Sequence, residues 1–318
     1  MTFAANASQP TIVIVGDVSV DHVMGPIDGW PAIGTEALAQ RSQMRPGGSG
    51  GNTALVLRQL GAPWRLLSQV GDDLFGGWLA QAFGPQAWLP ALPGPTTVST
   101  GILHTCGERT FFTTDGHLQQ ISWPPLRGHL PKAASRSILL LSGAFILPRL
   151  AANYDQVIDE AQAQGYRIAV DTGWPPQGWD ETTRAMALSW MRRCDHVLLN
   201  ESEIKALAGR ESLALALTDL ASQLPPGATL VAKRGADGAS AVENGRIVHR
   251  PTQPIKAFDT VGAGDAFNAG YLRARLTGQD LEAALDSGCQ VAAAIIAQFP
   301  RPQVAPAAST AARAGAAS

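Results

Sequence analysis

The sequence predicts an α/β protein with a mostly parallel central sheet that helices cover on both faces. Two observations lead to this fold class. Residues 11–15 form a β-branched run that ends at Gly16, which is typical of a strand buried on both faces. From residue 137 onward, short apolar strands alternate with helical segments, and this alternation favours parallel strands joined by right-handed crossovers.

Length and composition limit the architecture and the partners. The 318 residues allow one large domain with a small accessory element, and a hydrophobic content of 45% allows a sizeable core. The net charge is −2, from 24 basic and 26 acidic residues. We therefore expect a small diffusing substrate, with neither nucleic acid nor an anionic membrane as partner.

The cysteines and the N-terminus indicate the cellular compartment. Cys106, Cys194 and Cys289 are far apart and lack metal-ligand spacing, so neither a disulfide framework nor a zinc site is expected. No basic residue precedes an apolar run at the N-terminus, and no apolar stretch approaches the about 20 residues of a membrane span. We expect a cytoplasmic protein with reduced thiols.

Strand and helix signals follow one another along the chain. We predict strands at residues 11–15, 64–70, 96–105, 109–114, 137–142, 167–171, 196–199 and 229–233. We predict helices at residues 53–60, 153–164, 181–192 and 280–299, a helix that opens at residues 71–76 and runs to about residue 83, and a turn that leads into a helix at 259–271. A hairpin is expected to turn at Asn244 and Gly245, which can both take positive φ.

Two segments do not fit the alternation of strands and helices. Residues 25–46 contain several prolines and glycines and one or two candidate strands, and residues 96–122 contain a strand pair. We expect these segments to form a lid over the site. The expected domain covers residues 11–299, between an N-terminal tail at 1–10 and a weakly ordered tail at 300–318.

The stretch at residues 259–271 is a loop that becomes a helix, with an acid at the junction. Gly262, Ala263 and Gly264 leave the backbone N–H groups uncovered, and the positive end of the helix dipole adds to their field, so an anion can bind there. Asp265 is a carboxylate beside this anion site, which suits a base that takes a proton from an attacking hydroxyl. The alternative is that Asp265 caps the helix.

A second glycine-rich stretch precedes the helix at residues 53–60. Four glycines in residues 47–51 permit a close approach of the backbone to a ligand, and Asn52 can cap the helix or bind a hydroxyl of a polyol. Asp17, Ser19 and Asp21 follow the first strand at alternate positions. In extended geometry they lie on one side, at the carboxyl edge where open α/β sheets bind ligands. The alternative for Asp21 is a solvated loop acid.

Acids also stand at the starts of two other helices. Asn200 and Glu203 are three residues apart after a strand, which matches a capping box. The functional alternative is that they order a complex of Mg²⁺ and phosphate through water. Asp72 and Asp73 suit the first turn of a helix, so a structural role is at least as well supported as contact with a ligand.

Together, in this order and at these separations, these stretches resemble the ribokinase family of carbohydrate and nucleoside kinases, also called the phosphofructokinase B superfamily. The resemblance covers about residues 11–299. Its most specific part is Asp259-Thr260-Val261-Gly262-Ala263-Gly264-Asp265, and Gly47-Gly48-Ser49-Gly50-Gly51-Asn52 matches the N-terminal signature. The resemblance implies a ribokinase-like three-layer α/β/α fold with a small β lid, and an ATP-dependent enzyme that uses Mg²⁺.

The resemblance also implies roles for single residues. It assigns Asp265 as the base and the amides of Gly262, Ala263 and Gly264 as the group that stabilises the transferring phosphoryl. The implied substrate-binding residues are Ser19, Asp21, Gly48, Ser49 and Asn52. The implied nucleotide and Mg²⁺ residues are Asn200, Glu203, Lys233, Gly235, Gly238 and Thr260. Asp259 matches a position that helps to bind a monovalent cation such as K⁺ in some members.

Departures from the family pattern bear on the substrate. Ser49 stands where ribokinase has lysine, and Gly143-Ala144-Phe145 has no acid where ribokinase has glutamate, so ribose is not favoured. Residues 172–176, directly after Asp171, lack the arginine that relatives acting on acidic or phosphorylated sugars often have nearby, and this disfavours 2-keto-3-deoxygluconate and sugar phosphates. We favour a hydroxymethyl group of a small neutral sugar as acceptor. For Arg109, we favour a surface position on a hairpin over the alternative that it reaches an anionic group from the lid.

Two alternatives remain open at this point. A nucleoside kinase of the adenosine or inosine type would use lid aromatics to stack on a base, and Phe111, Phe112 and Trp123 are candidates. A catalytically silent sugar- or nucleotide-binding regulator is disfavoured because Asp265 and both signatures are intact. A homodimer that pairs through the lid is a further expectation. All readings of the site require Asp21 and Asp265 to meet in one pocket.

Overall fold

The structure is a computed structural model that describes residues 9–301. The tails expected at residues 1–10 and 300–318 therefore lie almost entirely outside the described residues. Within the described range the strands are β1 (Ile12–Gly16), β2 (Ser19–Ile27), β3 (Arg41–Gly47), β4 (Trp64–Leu67), β5 (Val70–Gly71), β6 (Ala87–Trp88), β7 (Ala91–Leu92), β8 (Val98–His104), β9 (Arg109–Thr113), β10 (Ile138–Ser142), β11 (Arg167–Asp171), β12 (His196–Asn200), β13 (Thr229–Lys233), β14 (Ala239–Glu243) and β15 (Arg246–Arg250). The helices are α1 (Ser49–Gln59), α2 (Leu74–Phe83), α3 (Pro148–Ala151), α4 (Tyr154–Ala163), α5 (Glu181–Met191), α6 (Glu201–Ala208), α7 (Leu213–Ala221), α8 (Ala263–Leu276) and α9 (Leu281–Ile296).

The central sheet has nine strands in the order β15-β14-β13-β12-β11-β10-β1-β4-β6. All neighbouring pairs from β6 to β13 are parallel, and only the β13–β14 and β14–β15 pairs are antiparallel. Strand β1 lies between β4 and β10, so its carboxyl end opens onto the middle of the sheet edge. The predicted mostly parallel α/β sheet is confirmed.

Helices cover both faces because the alternate side chains of β1 are apolar in both directions. Val13 and Val15 belong to one buried core, which they share with helices α4, α5, α6 and α7. Ile12 and Ile14 belong to a second buried core, which they share with α1, α2, α8 and α9. The result is a three-layer α/β/α arrangement. The two glycine-rich stretches both lead into helices of the second core, and this brings them to the same side of the sheet.

A smaller four-stranded sheet has the order β3-β2-β8-β9, and we call it the lid sheet. Its β2–β8 pair is parallel and the other two pairs are antiparallel. It contains the strands of the segments expected to form a lid, together with residues 19–24 of β2. In the register, Asp21 lies opposite Arg45 and Val23 opposite Gln43.

Several element boundaries differ from the predictions. Helix α1 begins at Ser49, four residues before the predicted start, because Asp17 accepts hydrogen bonds from the amides of Ser49 and Gly50.

The hairpin prediction is confirmed, since Asn244 and Gly245 have φ of 53° and 75°. None of the helices between residues 9 and 301 combines the length and apolar character needed to cross a bilayer.

Candidate active site

The site lies where the carboxyl end of β1 meets the N-termini of α1 and α8. Helix α8 begins after Gly262, which has a positive φ of 73°. A Cβ at Gly262 would lie 3.2 Å from the side-chain nitrogen of Asn52, so this turn approaches α1 closely. The amides of Gly262, Ala263 and Gly264 come at the positive end of α8. This is the position at which the sequence predicts an anion hole.

Asn52 joins the two acids of the site. Its side-chain nitrogen donates to Oδ2 of Asp265 at 3.1 Å and lies 3.4 Å from Oδ2 of Asp21. Asp21 is buried, with 6% of its surface exposed, and also accepts from the amide of Gly48 at 3.4 Å. Ser19 contacts Asp21 at 3.5 Å. Asp21 and Asp265 thus lie close together, each near the Asn52 amide, and Asp21 is not a solvated loop acid.

The surroundings of Asp265 favour its protonated form. Burial raises the pKa of Asp265 well above its ordinary value, and the nearby charge of Asp171 raises it further. The charge of Lys233 and the hydrogen bond from Asn52 act in the opposite direction. Burial also raises the pKa of Asp21, against the charge of Arg45. A carboxylate with a raised pKa is a stronger base when ionised, which suits proton abstraction from a hydroxyl.

Asp17 organises the N-terminus of α1. It accepts hydrogen bonds from the Ser49 amide at 2.8 Å, the Ser49 hydroxyl at 2.5 Å and the Gly50 amide at 3.1 Å. The Ser49 hydroxyl also lies 2.8 Å from the hydroxyl of Ser142. Ser49 was expected to bind substrate, but here its hydroxyl is hydrogen-bonded within the protein.

The glycines of the first signature approach protein atoms. A Cβ at Gly47 would lie 2.0 Å from the carboxyl carbon of Asp21, and a Cβ at Gly48 would lie 2.8 Å from the carbonyl oxygen of Asp17. A Cβ at Gly50 would lie 2.9 Å from the same oxygen. The absence of side chains therefore lets α1 dock against the β1–β2 connection, which explains the number of glycines without a ligand.

A buried ion pair lies beneath the first turn of α8. The Lys233 ammonium is 2.6 Å from Oδ2 of Asp171, which also accepts from the Asn268 amide at 2.5 Å. A Cβ at Gly264 would lie 3.4 Å from this ammonium. Burial disfavours the charge of Lys233, but Asp171 and Glu203 outweigh that effect and raise its pKa. Lys233 thus supports the turn through Asp171.

Asn200 and Glu203 form the capping box that the sequence pattern indicated. The Glu203 amide donates to Oδ1 of Asn200 and the Asn200 amide donates to Oε2 of Glu203, both at 2.8 Å. Glu203 is nevertheless buried, with 3% exposure, and burial together with the charge of Asp171 raises its pKa to about 7. The structural interpretation of this pair is confirmed.

Asp259 is enclosed by two arginines. Its Oδ2 lies 2.6 Å from Arg45 and 3.3 Å from Arg301, and its Oδ1 accepts from the Val261 amide at 2.9 Å. The carbonyl oxygens of Asp259 and Val261 accept from Nη2 of Arg301 at 2.9 and 2.5 Å. The oxygens that a monovalent cation would need are thus bonded to guanidinium groups. The residues present do not fit the monovalent cation considered for Asp259.

A cavity of about 530 Å³ lies between α8 and α9, and we call it the α8–α9 cleft. Its polar wall includes the predicted residues Lys233, Gly235, Gly238, Thr260 and Gly264. Its apolar wall includes Ile255, Ala257, Phe267, Ala292 and Ile296. A flat apolar group with a polar extension matches these walls.

Arg109 also lines the α8–α9 cleft. Its guanidinium donates to the Thr260 hydroxyl at 3.0 Å, so it connects β9 of the lid sheet to the loop before α8. Arg109 is exposed, as a surface residue is expected to be, and it also contacts the loop before α8. Trp123 is fully buried and its indole N–H donates to Glu160, so it cannot stack on a ligand in the site.

Sequence reasoning missed four residues of this region: Arg45, Asp171, Asn268 and Arg301. Asp171 carried a usable signal, because it ends a buried strand at the carboxyl edge of the sheet. Arg45 lies opposite Asp21 in the β2–β3 pairing, which requires the register. Nothing in the local pattern around Asn268 or Arg301 marks them.

Comparison with known proteins identifies the family of this chain. The chain belongs to the pfkB family of carbohydrate kinases, whose pattern it matches over residues 10–300. It is 30% identical over 245 residues to a fructokinase of Klebsiella pneumoniae, across 71% of this chain and 76% of the relative. The chain is therefore a sugar or nucleoside kinase of this family, an ATP-dependent phosphotransferase.

Solved structures share the fold. An adenosine kinase from Sinorhizobium meliloti superposes with a TM-score of 0.76 at 23% identity, over 93% of this chain and 97% of the other. A ribokinase II from E. coli in complex with ATP and Mg²⁺ superposes with a TM-score of 0.76 at 19% identity, over 91% of this chain and 93% of the other. The ribokinase-like fold expected from the resemblance is confirmed.

Proposed function

We propose that this kinase transfers the γ-phosphoryl group of ATP to a hydroxymethyl group of a small neutral sugar, with Asp265 as the general base. The observation that carries the proposal is the contact of Asn52 with both Asp265 and Asp21. This contact supports the proposal because it brings the proposed base close to a carboxylate that can bind a polyol, at the helix start proposed as the anion hole. Each of these groups has a defined task in phosphoryl transfer.

The reaction needs in-line placement, neutralisation of charge and exclusion of water. The hydroxyl oxygen of the sugar forms a bond to the γ-phosphorus while the bond between that phosphorus and the bridging oxygen of ADP breaks. Asp265 takes the hydroxyl proton. The amides of Gly262, Ala263 and Gly264 stabilise the charge on the transferring group, and Asp21 with Asn52 orients the sugar.

The α8–α9 cleft is the proposed ATP site, with the adenine against its apolar wall and the phosphates towards Lys233, Gly264 and Thr260. The described residues contain no group of three or more His, Cys, Asp or Glu side chains that could enclose a metal ion. Mg²⁺ would therefore be bound mainly by phosphate oxygens and water, with Glu203 and Asn200 acting through water. It would neutralise charge on the phosphates.

Two features bear on the acceptor. Arg45 and Arg301, whose charges interact with Asp21, both pair with Asp259, which supports an acceptor without an acidic group of its own. A nucleoside acceptor is the second candidate, because Phe111 and Phe112 are 45% and 58% exposed on the lid sheet, and aromatic rings can stack on a base.

Release of ADP in a panel of acceptors tests the proposal. The panel contains neutral ketoses and aldoses, their acidic analogues, and nucleosides, each with ATP and Mg²⁺. We expect the highest kcat/KM for a neutral sugar. A higher value for a nucleoside would support the second candidate, and a higher value for a sugar acid would contradict the neutral class.

A further inference from the structure

The loop that carries the anion hole is bonded to a side chain from the far end of the described chain. Nη2 of Arg301 contacts three oxygens: the carbonyls of Asp259 and Val261, at 2.9 and 2.5 Å, and Oδ2 of Asp259, at 3.3 Å. Two carbonyls and a carboxylate around one point are the kind of oxygen set that binds a hard cation. In this chain the positive charge at that point belongs to a side chain.

Arg301 is held in place from two sides. Its amide donates to Oε1 of Gln43 at 3.0 Å, and its carbonyl accepts from Nε2 of Gln43 at 2.8 Å. Gln43 belongs to β3 of the lid sheet, so this paired contact fixes the backbone on which the guanidinium is carried. The side chain of Arg301 is only 12% exposed. The position of this charge is therefore determined by the fold.

The bonds of Arg301 orient the anion hole through the geometry of the peptide unit. The carbonyl of Val261 and the N–H of Gly262 belong to one planar trans peptide, so they point in opposite directions. A cation that binds the Val261 carbonyl turns the Gly262 N–H away from itself. The same charge compensates Asp259, a buried carboxylate that lies just before the turn.

The charge persists at neutral pH. Burial and the neighbouring charge of Arg45 lower the pKa of Arg301 to about 10, which still leaves the guanidinium protonated. Arg45 contributes a second guanidinium to Asp259 at 2.6 Å. Two guanidinium groups therefore pair with the carboxylate at the start of this loop.

We propose that Arg301 is a built-in cation that positions the anion-hole loop, so that this kinase works without an added monovalent ion. Arg301 is a positioning residue: it acts through the Val261–Gly262 peptide. The proposal rests on the proposed function, because the anion hole is assigned there.

The first test is the dependence of the wild-type enzyme on monovalent ions. Activity is measured in tetramethylammonium buffer with and without added KCl. We expect kcat/KM to change by less than about twofold, since the loop needs no external cation. A requirement for K⁺ of tenfold or more would overturn the proposal.

The second test replaces the charge. Arg301→Ala is expected to lose about 10- to 100-fold in kcat/KM, less than the about 10²- to 10³-fold found when an oxyanion-hole donor itself is removed, because Arg301 acts on that donor indirectly. Added guanidinium or K⁺ should restore part of this loss, and Arg301→Lys should retain more activity than Arg301→Ala. Arg246→Ala is the matched control, because Arg246 is 70% exposed on β15 and pairs with Glu282 far from the loop.

Rescue separates a positioning role from a merely structural one. If Arg301→Ala is folded and its loss is insensitive to guanidinium and K⁺, the proposal is wrong. If Arg301→Ala does not fold, the proposal is tested by the ion dependence of the wild-type enzyme and by the activity of Arg301→Lys. If no acceptor is phosphorylated, the proposed function fails, and ATP affinity measured by calorimetry still tests Arg301. Weaker ATP binding in Arg301→Ala, restored by guanidinium, supports the role, and unchanged binding contradicts it.

Discussion

At the scale of single residues, Asp265 has a position and a pKa that suit a general base. It stands in the first turn of α8, receives a hydrogen bond from Asn52, and lies next to the amides of the anion hole. Its pKa is raised by burial and by the charge of Asp171. A base of this kind holds the hydroxyl proton more strongly than an exposed aspartate does.

Replacement of this base is expected to remove catalysis and leave the fold intact. Asp265→Asn keeps the size of the side chain and its contact with Asn52, but the amide cannot accept the proton. We expect kcat to fall by about 10²- to 10⁴-fold, measured by release of ADP. Asp219→Asn, an exposed position that pairs with Arg210, is the control. Near-normal turnover in Asp265→Asn would show that Asp265 is not the base.

The pH dependence of activity should reflect the same residue. Only the ionised carboxylate can accept a proton, so kcat/KM should decline as the pH falls through the raised pKa of Asp265. Burial raises this pKa most, the charges of Asp171 and Asp17 raise it further, and the charge of Lys233 lowers it. The decline should therefore begin well above the ordinary range of aspartate, which is about 4. A profile that stays flat down to that range would contradict the assignment.

At the scale of elements, the start of α1 depends on a close approach between backbones. Asp17 caps the helix from the β1–β2 connection, and glycines allow the contact. At Gly50, a Cβ would meet the Asp17 carbonyl oxygen at 2.9 Å, whereas at Gly77 in α2 nothing lies within 4 Å. The two glycines therefore have the same low helix propensity but different surroundings.

A pair of alanine variants exploits this difference. Gly50→Ala should lower the free energy of unfolding by about 1–3 kcal/mol, because the backbone of Asp17 must move. Gly77→Ala should raise the same free energy by about 0.5–1 kcal/mol, because alanine favours the helix. Chemical denaturation measures both. Equal effects of the two substitutions would mean that the contact with Asp17 does not prevent α1 from accepting a side chain at residue 50.

At the scale of the whole molecule, the lid sheet is tied to the catalytic layer by side chains on two of its strands. From β3, Arg45 pairs with Asp259 and Gln43 holds Arg301, and from β9, Arg109 reaches Thr260. The strand β9 is an edge of the lid sheet and carries exposed Phe111 and Phe112. Exposed aromatic groups on an edge strand are typical of a surface that another chain covers.

We therefore predict a homodimer that pairs through the lid sheet. Trp30 is 56% exposed and contacts Phe112 edge-on, with ring centroids 5.8 Å apart. Light scattering should give twice the mass of one chain, and the double substitution Trp30→Ser with Phe112→Ser should shift the protein towards the monomer. Leu215→Ser, which changes an exposed apolar residue on α7, is the control. A wild-type monomer at all concentrations would rule out the dimer.

Much of the fold and part of the site could be predicted because their signals are local. The alternation of buried strands and helices, the hairpin at Asn244 and Gly245, and the turn before Asp265 each depend on a few consecutive residues. The role of Trp123 was misjudged for the opposite reason. Its position between two apolar segments does not show that the core of the α4 layer encloses it.

The sequence by itself determined the parallel α/β sheet, the two glycine-rich turns and the acid that follows the second, since backbone preference and alternating burial act over short stretches. Only the tertiary structure decided that Arg45 and Arg301 enclose Asp259, and that Asp171, Lys233 and Asn268 support the turn of α8. These partners are distant in the chain. Their contacts arise from strand register and helix packing, which no local pattern encodes.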